Sequence, residues 1–264
     1  MKNINKIKQK FYDNSFCLNG WLSIPNSFTS EAMGKMGWDS LTLDLQHGQI
    51  DYSTAVPLMQ SVNKNDCSIL ARVPWNEPGI IMKMLDLGAI GIIAPMINTK
   101  KECEEFVSYC NYPPIGKRSF GPMRAQLIYG SNYFEEANKN IISMAMIETK
   151  EAVENLDQIL SVPNLTGVYI GPADMCSSYG LKPQFDPRDE QIYSNFKLIA
   201  KKAKENNKIA GIHTGSTEYA KEMISLGFQF ITILSEFRFM TAYGEGIINE
   251  MKNEVKDNSS SSTY

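Results

Sequence analysis

Two short apolar runs in this chain each end in a carboxylate. Ser143 to Ile147 is followed by Glu148 and Thr149, and Gly167 to Ile170 is followed by Gly171-Pro172-Ala173-Asp174. Between them Ala152, Val153, Leu156, Ile159 and Leu160 fall on one face at helical spacing. A strand, helix, strand unit of this kind puts both strand ends on one edge of a parallel sheet. Glu148 and Asp174 can then converge, and two hard oxygen ligands suit a divalent cation such as Mg²⁺ or Mn²⁺. Acids after strands also serve as helix caps and first-turn residues. The spacing permits convergence and does not require it.

Other polar residues stand at similar places. His47 ends an alternating run, with Asp44 three residues earlier. A histidine titrates near neutrality and suits acid/base work, and it is also a common hydrogen-bonded structural residue. Asp44 could fix its tautomer, but the two have opposite strand parity, so contact requires a bend after Leu45. Arg72 follows another apolar run; its planar fork can hold a carboxylate or offset charge on a carbonyl oxygen. A salt bridge across a barrel mouth is its structural alternative. Gly171-Pro172-Ala173-Asp174 opens a short helix whose free N–H groups make a carboxylate site. Trp21 and His213 complete the set of strand-end residues.

The elements that must position these residues alternate along the whole chain. Strands are predicted over 16–23, 40–45, 68–71, 90–94, 143–147, 167–170, 208–212 and 229–234, each followed by a helix. Glycines stop two of these helices, Gly88 and Gly227, and Thr99 with Glu102 forms a capping box. Eight such units imply a parallel sheet, and in one domain they fit a closed α/β (βα)₈ TIM barrel. The barrel spans 16–257. An N-terminal helix lies within 1–15, with Ile4, Ile7 and Phe11 as its apolar stripe, and 258–264 reads as a disordered tail. Residues 111 to about 132, rich in Gly, Pro and Arg, read as a long irregular loop, either functional or a surface excursion.

Composition narrows the partners. The chain has 264 residues and a net charge of −3, which argues against nucleic acid or an anionic membrane as its main partner. Its apolar runs are too short to span a bilayer, and residues 1–11 lack the apolar core of a signal peptide. The five cysteines contain no CxxC pair and read as reduced thiols in a cytoplasmic protein. With two histidines, a multi-histidine metal site is excluded.

The residues in their order resemble the HpcH/HpaI aldolase family, the metal-dependent class II pyruvate aldolases. The resemblance runs from Trp21 to about Met240. It is carried by Leu43-Asp44-Leu45-Gln46-His47-Gly48, Ala71-Arg72-Val73-Pro74-Trp75-Asn76, Pro95-Met96-Ile97-Asn98-Thr99, Gly116-Lys117-Arg118-Ser119-Phe120-Gly121-Pro122, Met146-Ile147-Glu148-Thr149, Asn155-Leu156-Asp157 and Gly171-Pro172-Ala173-Asp174. It implies a homo-oligomer, often a trimer of dimers with the last helix exchanged between partners. It implies Glu148 and Asp174 as ligands of Mg²⁺, Mn²⁺ or a similar ion such as Co²⁺. Trp21, Arg72 and the Gly171, Pro172, Ala173, Asp174 turn would bind a 2-oxo acid. His47, supported by Asp44, would move the proton of the substrate's 4-hydroxyl, with Asp86 assisting, from a neighbouring subunit in one version. The activity implied is retro-aldol cleavage of a 4-hydroxy-2-oxo acid to pyruvate and an aldehyde.

The chain departs from the family pattern at Gln46, at Met146, and at Leu234-Ser235-Glu236. An acyl-CoA ester lyase of the citryl- or malyl-CoA type is a second reading, though no basic cluster for a nucleotide is evident. A non-catalytic barrel that binds a keto acid is a third. Arg118 and Arg124, in the long Gly- and Pro-rich segment, are candidates for contacts to the aldehyde half.

Overall fold

Eight runs of mostly apolar residues form the strands. They are β1 (Cys17–Leu22), β2 (Ser40–Asp44), β3 (Ser68–Arg72), β4 (Gly91–Ala94), β5 (Ile142–Ile147), β6 (Gly167–Ile170), β7 (Ile209–Thr214) and β8 (Phe230–Ile233). Each pairs in parallel with the next, and β8 pairs with β1, so the sheet closes into a barrel as the alternation predicts. The helices are α1 (Lys6–Tyr12), α2 (Ser27–Gly34), α3 (Tyr52–Ser61), α4 (Pro78–Leu87), α5 (Lys100–Cys110), α6 (Met123–Tyr129) and α7 (Tyr133–Asn140). They continue as α8 (Lys150–Glu154), α9 (Leu156–Leu160), α10 (Pro172–Ser178), α11 (Glu190–Glu205), α12 (Thr217–Leu226) and α13 (Glu236–Ser260). The computed structural model describes residues 6–62 and 67–260.

Alternation along each strand divides the core into two. One face packs against the helices in the main apolar cluster, which includes Leu41, Leu43, Ile92, Ile147, Val168 and Ile212. The other face fills the barrel, where Trp21, Leu70, Ile93, Met144, Met146, Tyr169 and Phe230 form a second cluster. Trp21 on β1 stacks on Tyr169 of β6 at 6.0 Å. Those strands are not neighbours, so the contact crosses the lumen. Below this layer the interior is polar and satisfied. Asn19 Oδ1 accepts from Ser40 Oγ and Thr42 Oγ1, while Asn19 Nδ2 and the Tyr169 hydroxyl both donate to Thr232 Oγ1. Ile7 and Phe11 of α1 join the interior cluster, with Phe11 edge-on to Phe230, so α1 closes the N-terminal end. Ile4 lies outside the described residues.

Local signals explain most boundaries. Thr99 and Glu102 make the reciprocal capping box at the start of α5. Gly88 and Gly227 end α4 and α12 at φ of 105°, a conformation that costs glycine little. Two expectations change. The segment 111–132 is not wholly irregular, because α6 forms within it; Arg124 of α6 donates to the carbonyls of Leu87 and Met59 and ties it to the ends of α4 and α3. The last helix reaches Ser260, into the expected tail at 258–264, whose residues 261–264 lie outside the described ones.

Candidate active site

The strand register sets the centre of the site. Asp44, last in β2, is the register partner of Arg72, last in β3, so their side chains leave the sheet on the same face. Arg72 donates from Nε to Asp44 Oδ1 at 2.9 Å and from Nη2 to Oδ2 at 2.6 Å, a bidentate pair with little exposure on either side. Asp44 also accepts from Trp21 Nε1 and from the backbone N–H groups of Gln46 and His47. Burial pushes its pKa up, but Arg72's charge and these hydrogen bonds outweigh that and hold it below the usual carboxylate value. The Arg72 guanidinium lies 4.8 Å from the centre of the Trp21 ring.

Around this pair a cavity of about 390 Å³ opens at the C-terminal ends of the strands, the face where barrel enzymes carry their sites. Trp21, Asp44, His47, Arg72 and all of Gly171, Pro172, Ala173 and Asp174 line it, as the sequence predicts for one rim. The bend after Leu45 brings the Asp44 carboxylate to the backbone of His47 and not to its ring. The imidazole is exposed at the lip. His213 is partly buried, edge-on to Trp21 at 5.0 Å. Burial, with Arg72 and Arg238 nearby, lowers its pKa to about 3, so it is neutral at working pH. The Tyr169 hydroxyl donates to Thr232 Oγ1 and lies 3.4 Å from His213 Nδ1.

Glu148 lies behind the Gly171 turn. It is 2% exposed and accepts from Met96 N at 2.7 Å through Oε1. A Cβ on Gly171 would collide with its Oε2, so the glycine leaves room for that oxygen. Burial raises the Glu148 pKa to about 7, and the charge of Asp174 adds to the rise. The two carboxylates are therefore close enough to repel, as two ligands of one cation must be. Among the described residues no group of three or more His, Cys, Asp or Glu forms a metal cluster. A pair of carboxylates fits a hard ion that keeps waters and takes substrate oxygens.

Three predicted residues stand elsewhere. Arg118 is 1% exposed; its Nη2 donates to Asp86 at 2.7 Å and its Nη1 to the Tyr133 hydroxyl, while Tyr112 lies under it at 4.3 Å. Arg124 is bonded to the carbonyls of α3 and α4. Within one chain, neither arginine nor Asp86 lines the cavity, and both arginines are bonded into the outer layer. Sequence reasoning missed Tyr169, Phe185 and Arg238, which do line it. Tyr169 sits inside an apolar run, and Arg238 reads as an ordinary polar position of an amphipathic helix.

A profile described as HpcH/HpaI aldolase/citrate lyase matches residues 20–237. The chain belongs to this family. A hydroxypyruvate/pyruvate aldolase of Rhizorhabdus wittichii is 35% identical over 249 residues, 94% of this chain and 99% of that protein. A 5-keto-4-deoxy-D-glucarate aldolase of Escherichia coli is 29% identical over 88% of this chain and 91% of that one. An HpcH/HpaI aldolase/citrate lyase family protein of Burkholderia cenocepacia, of known structure, has the same fold, with a TM-score of 0.87 at 22% identity, covering 94% of this chain and 99% of that one. The expected family and barrel are both borne out.

Proposed function

We propose that this chain is a carbon–carbon lyase that cleaves a 4-hydroxy-2-oxo acid to pyruvate and an aldehyde, reversibly and with a divalent metal ion. The observation that carries this is the single cavity that joins the Arg72–Asp44 pair, His47 and the Gly171–Asp174 turn, with Glu148 behind the turn. The aldolase names of the relatives at 35% and 29% identity support it.

Glu148 and Asp174 would hold the ion, Mg²⁺, Mn²⁺ or Co²⁺, which supplies Lewis-acid stabilisation of the negative charge that develops as the bond breaks. The N–H groups of Ala173 and Asp174, in the first turn of α10, precede the first intrahelical acceptor and can receive the substrate carboxylate. Arg72 spends Nε and one Nη2 proton on Asp44. Its Nη1 remains for the 2-oxo oxygen and for the enolate that oxygen becomes. Asp44 fixes the plane of that fork, and Trp21 packs against it. His47 takes the proton of the 4-hydroxyl, directly or through one water. The C3–C4 electron pair then moves into the C2–C3 bond, the aldehyde carbonyl forms, and protonation at C3 gives pyruvate. Trp21, Tyr169 and Met146 make the inner wall apolar, which strengthens each of these polar contacts.

A homo-oligomer, in the trimer-of-dimers form the resemblance implies, belongs to the same reading, as does a cytoplasmic location. Five buried cysteines, none in a disulfide, support a reducing compartment. Among the described residues no helix is long and apolar enough to cross a membrane.

Pyruvate release from a panel of 4-hydroxy-2-oxo acids tests the function. Release should stop with EDTA and return with Mg²⁺ or Mn²⁺, and Asp174→Ala should remove the metal response. Release from no member, or release indifferent to EDTA, would sink the proposal.

A further inference from the structure

The mouth of the cavity carries a cation that the cleavage steps do not use. Arg238, near the start of α13, lines it beside Phe185, Leu234 and Ser235. Its guanidinium lies 5.2 Å from the centre of the Phe185 ring. Among the described residues no carboxylate pairs with it. Two acids beside this pair, Glu236 in the first turn of α13 and Asp186 next to Phe185, make their hydrogen bonds elsewhere. Glu236 accepts through Oε1 from the backbone N–H groups of Ser23 and Ile24, and its Oε2 is buried without a hydrogen-bond partner. Asp186 accepts from Gly215 N and Ser216 Oγ.

The cavity therefore holds two arginines in different states. Arg72, at depth, is neutralised by the two oxygens of Asp44. Arg238, at the lip, has no carboxylate partner among the described residues and presents its planar fork beside Phe185. The Glu236 contacts pin the first turn of α13 to the chain after β1, and the Phe185 ring offers a face on which the guanidinium can rest. A fork held in this way suits bidentate recognition of a carboxylate or phosphate. The substrate's own 2-oxo acid end is taken at depth, beside Gly171 to Asp174. What reaches Arg238 is the far end of the molecule.

We propose that Arg238, backed by Phe185, forms a subsite for an anionic group on the aldehyde half, so that preferred substrates are 4-hydroxy-2-oxo acids carrying a second anion. This rests on the cleavage proposed above. It gives to Arg238 the role that the sequence suggests for Arg118 and Arg124, both of which are bonded into the outer layer.

Aldol addition of pyruvate to three aldehydes tests it: succinic semialdehyde, glyceraldehyde 3-phosphate and butanal, each with wild type, Arg238→Gln and Arg238→Lys. Wild type should favour at least one anionic aldehyde over butanal by about tenfold or more in kcat/KM. Which of the two it favours separates a carboxylate from a phosphate. In Arg238→Gln that ratio should fall by about tenfold, chiefly through KM for the aldehyde, and Arg238→Lys should recover part of it. Equal losses on anionic and neutral aldehydes, or a wild type without preference for anions, would overturn the subsite and leave the cleavage standing. Addition to none of the three, with no cleavage of the 4-hydroxy-2-oxo acid panel, would overturn both.

Discussion

Asp44 and Glu148 are both buried carboxylates at strand ends, and they titrate in opposite directions because of what faces them. Asp44 meets the Arg72 fork and stays ionised. Glu148 meets one backbone N–H and the charge of Asp174, so without a cation its pKa rises from 4.5 to about 7. Below about pH 4.5 Glu148 is protonated in both the folded and the unfolded chain. Between there and about 7 the folded chain holds the proton and the unfolded chain has lost it. The metal-free protein should therefore lose stability as pH rises through this window. Cation binding, which needs the ionised form, should strengthen by up to about tenfold per pH unit over the same window and level off above it. Titration calorimetry with Mn²⁺ at several pH values measures this, and a flat profile below neutrality would contradict the assignment. At this scale the sequence was informative where a polar residue interrupts an apolar run at its end, as Asp44, His47, Arg72 and Glu148 do. It was silent on Tyr169, whose ring and hydroxyl face the lumen from inside such a run, because one residue type serves packing and polar contact equally.

The segment between α5 and β5 shows what element-scale reading misses. Its Gly and Pro residues mark breaks, and its arginines look like solvated contacts. The structure instead folds Met123–Tyr129 into a helix and buries Arg118 among Tyr112, Tyr133 and Asp86. Neither aromatic is at helical or strand spacing from Arg118, so no local pattern announces that site. The strands and capped helices were legible for the opposite reason, since their signals lie within a few residues of each other, as at Thr99 and Glu102 or at Gly88. The parity argument at Asp44 and His47 was also local, and it held: the carboxylate reaches the His47 amide and not the ring. Arg118→Ala should then act on stability. It removes a buried guanidinium from a pair whose Asp86 is partly exposed, a loss of roughly 1–3 kcal/mol, while the ratio of activities on anionic and neutral aldehydes stays as in wild type. Urea unfolding beside the same aldehyde panel reads both. A variant of normal stability with altered selectivity would return Arg118 to the substrate.

At the scale of the whole molecule, α13 carries an apolar stripe that the rest of the chain leaves exposed. Met240, Tyr243, Ile247, Ile248 and Met251 are all exposed, and four of them recur at three-, four- and seven-residue intervals, which puts them on one stripe. The same helix carries Gly244 and Gly246, and a Cβ at either would meet nothing. Two interior glycines cost a helix roughly 1 kcal/mol each, and an apolar stripe of this length is rare on the surface of a monomer. Local propensity thus argues against a long solitary helix, and packing from outside the chain is the term that can offset it. A second copy of the chain supplies such packing without any further partner, in keeping with the proposed homo-oligomer. Light scattering on the eluting protein should give a multiple of the 29.7 kDa chain mass. Ile247→Glu with Met251→Glu should shift it toward smaller species, because two charges would be buried in an apolar contact. A wild type that elutes at the mass of one chain at micromolar concentration would leave the stripe without its proposed cover, and a double variant with unchanged mass would place the contact elsewhere. Because α13 begins at the lip of the cavity, the same variant should also report on activity. If the contact holds Arg238 in place, dissociation should weaken the preference for anionic aldehydes before it weakens cleavage itself.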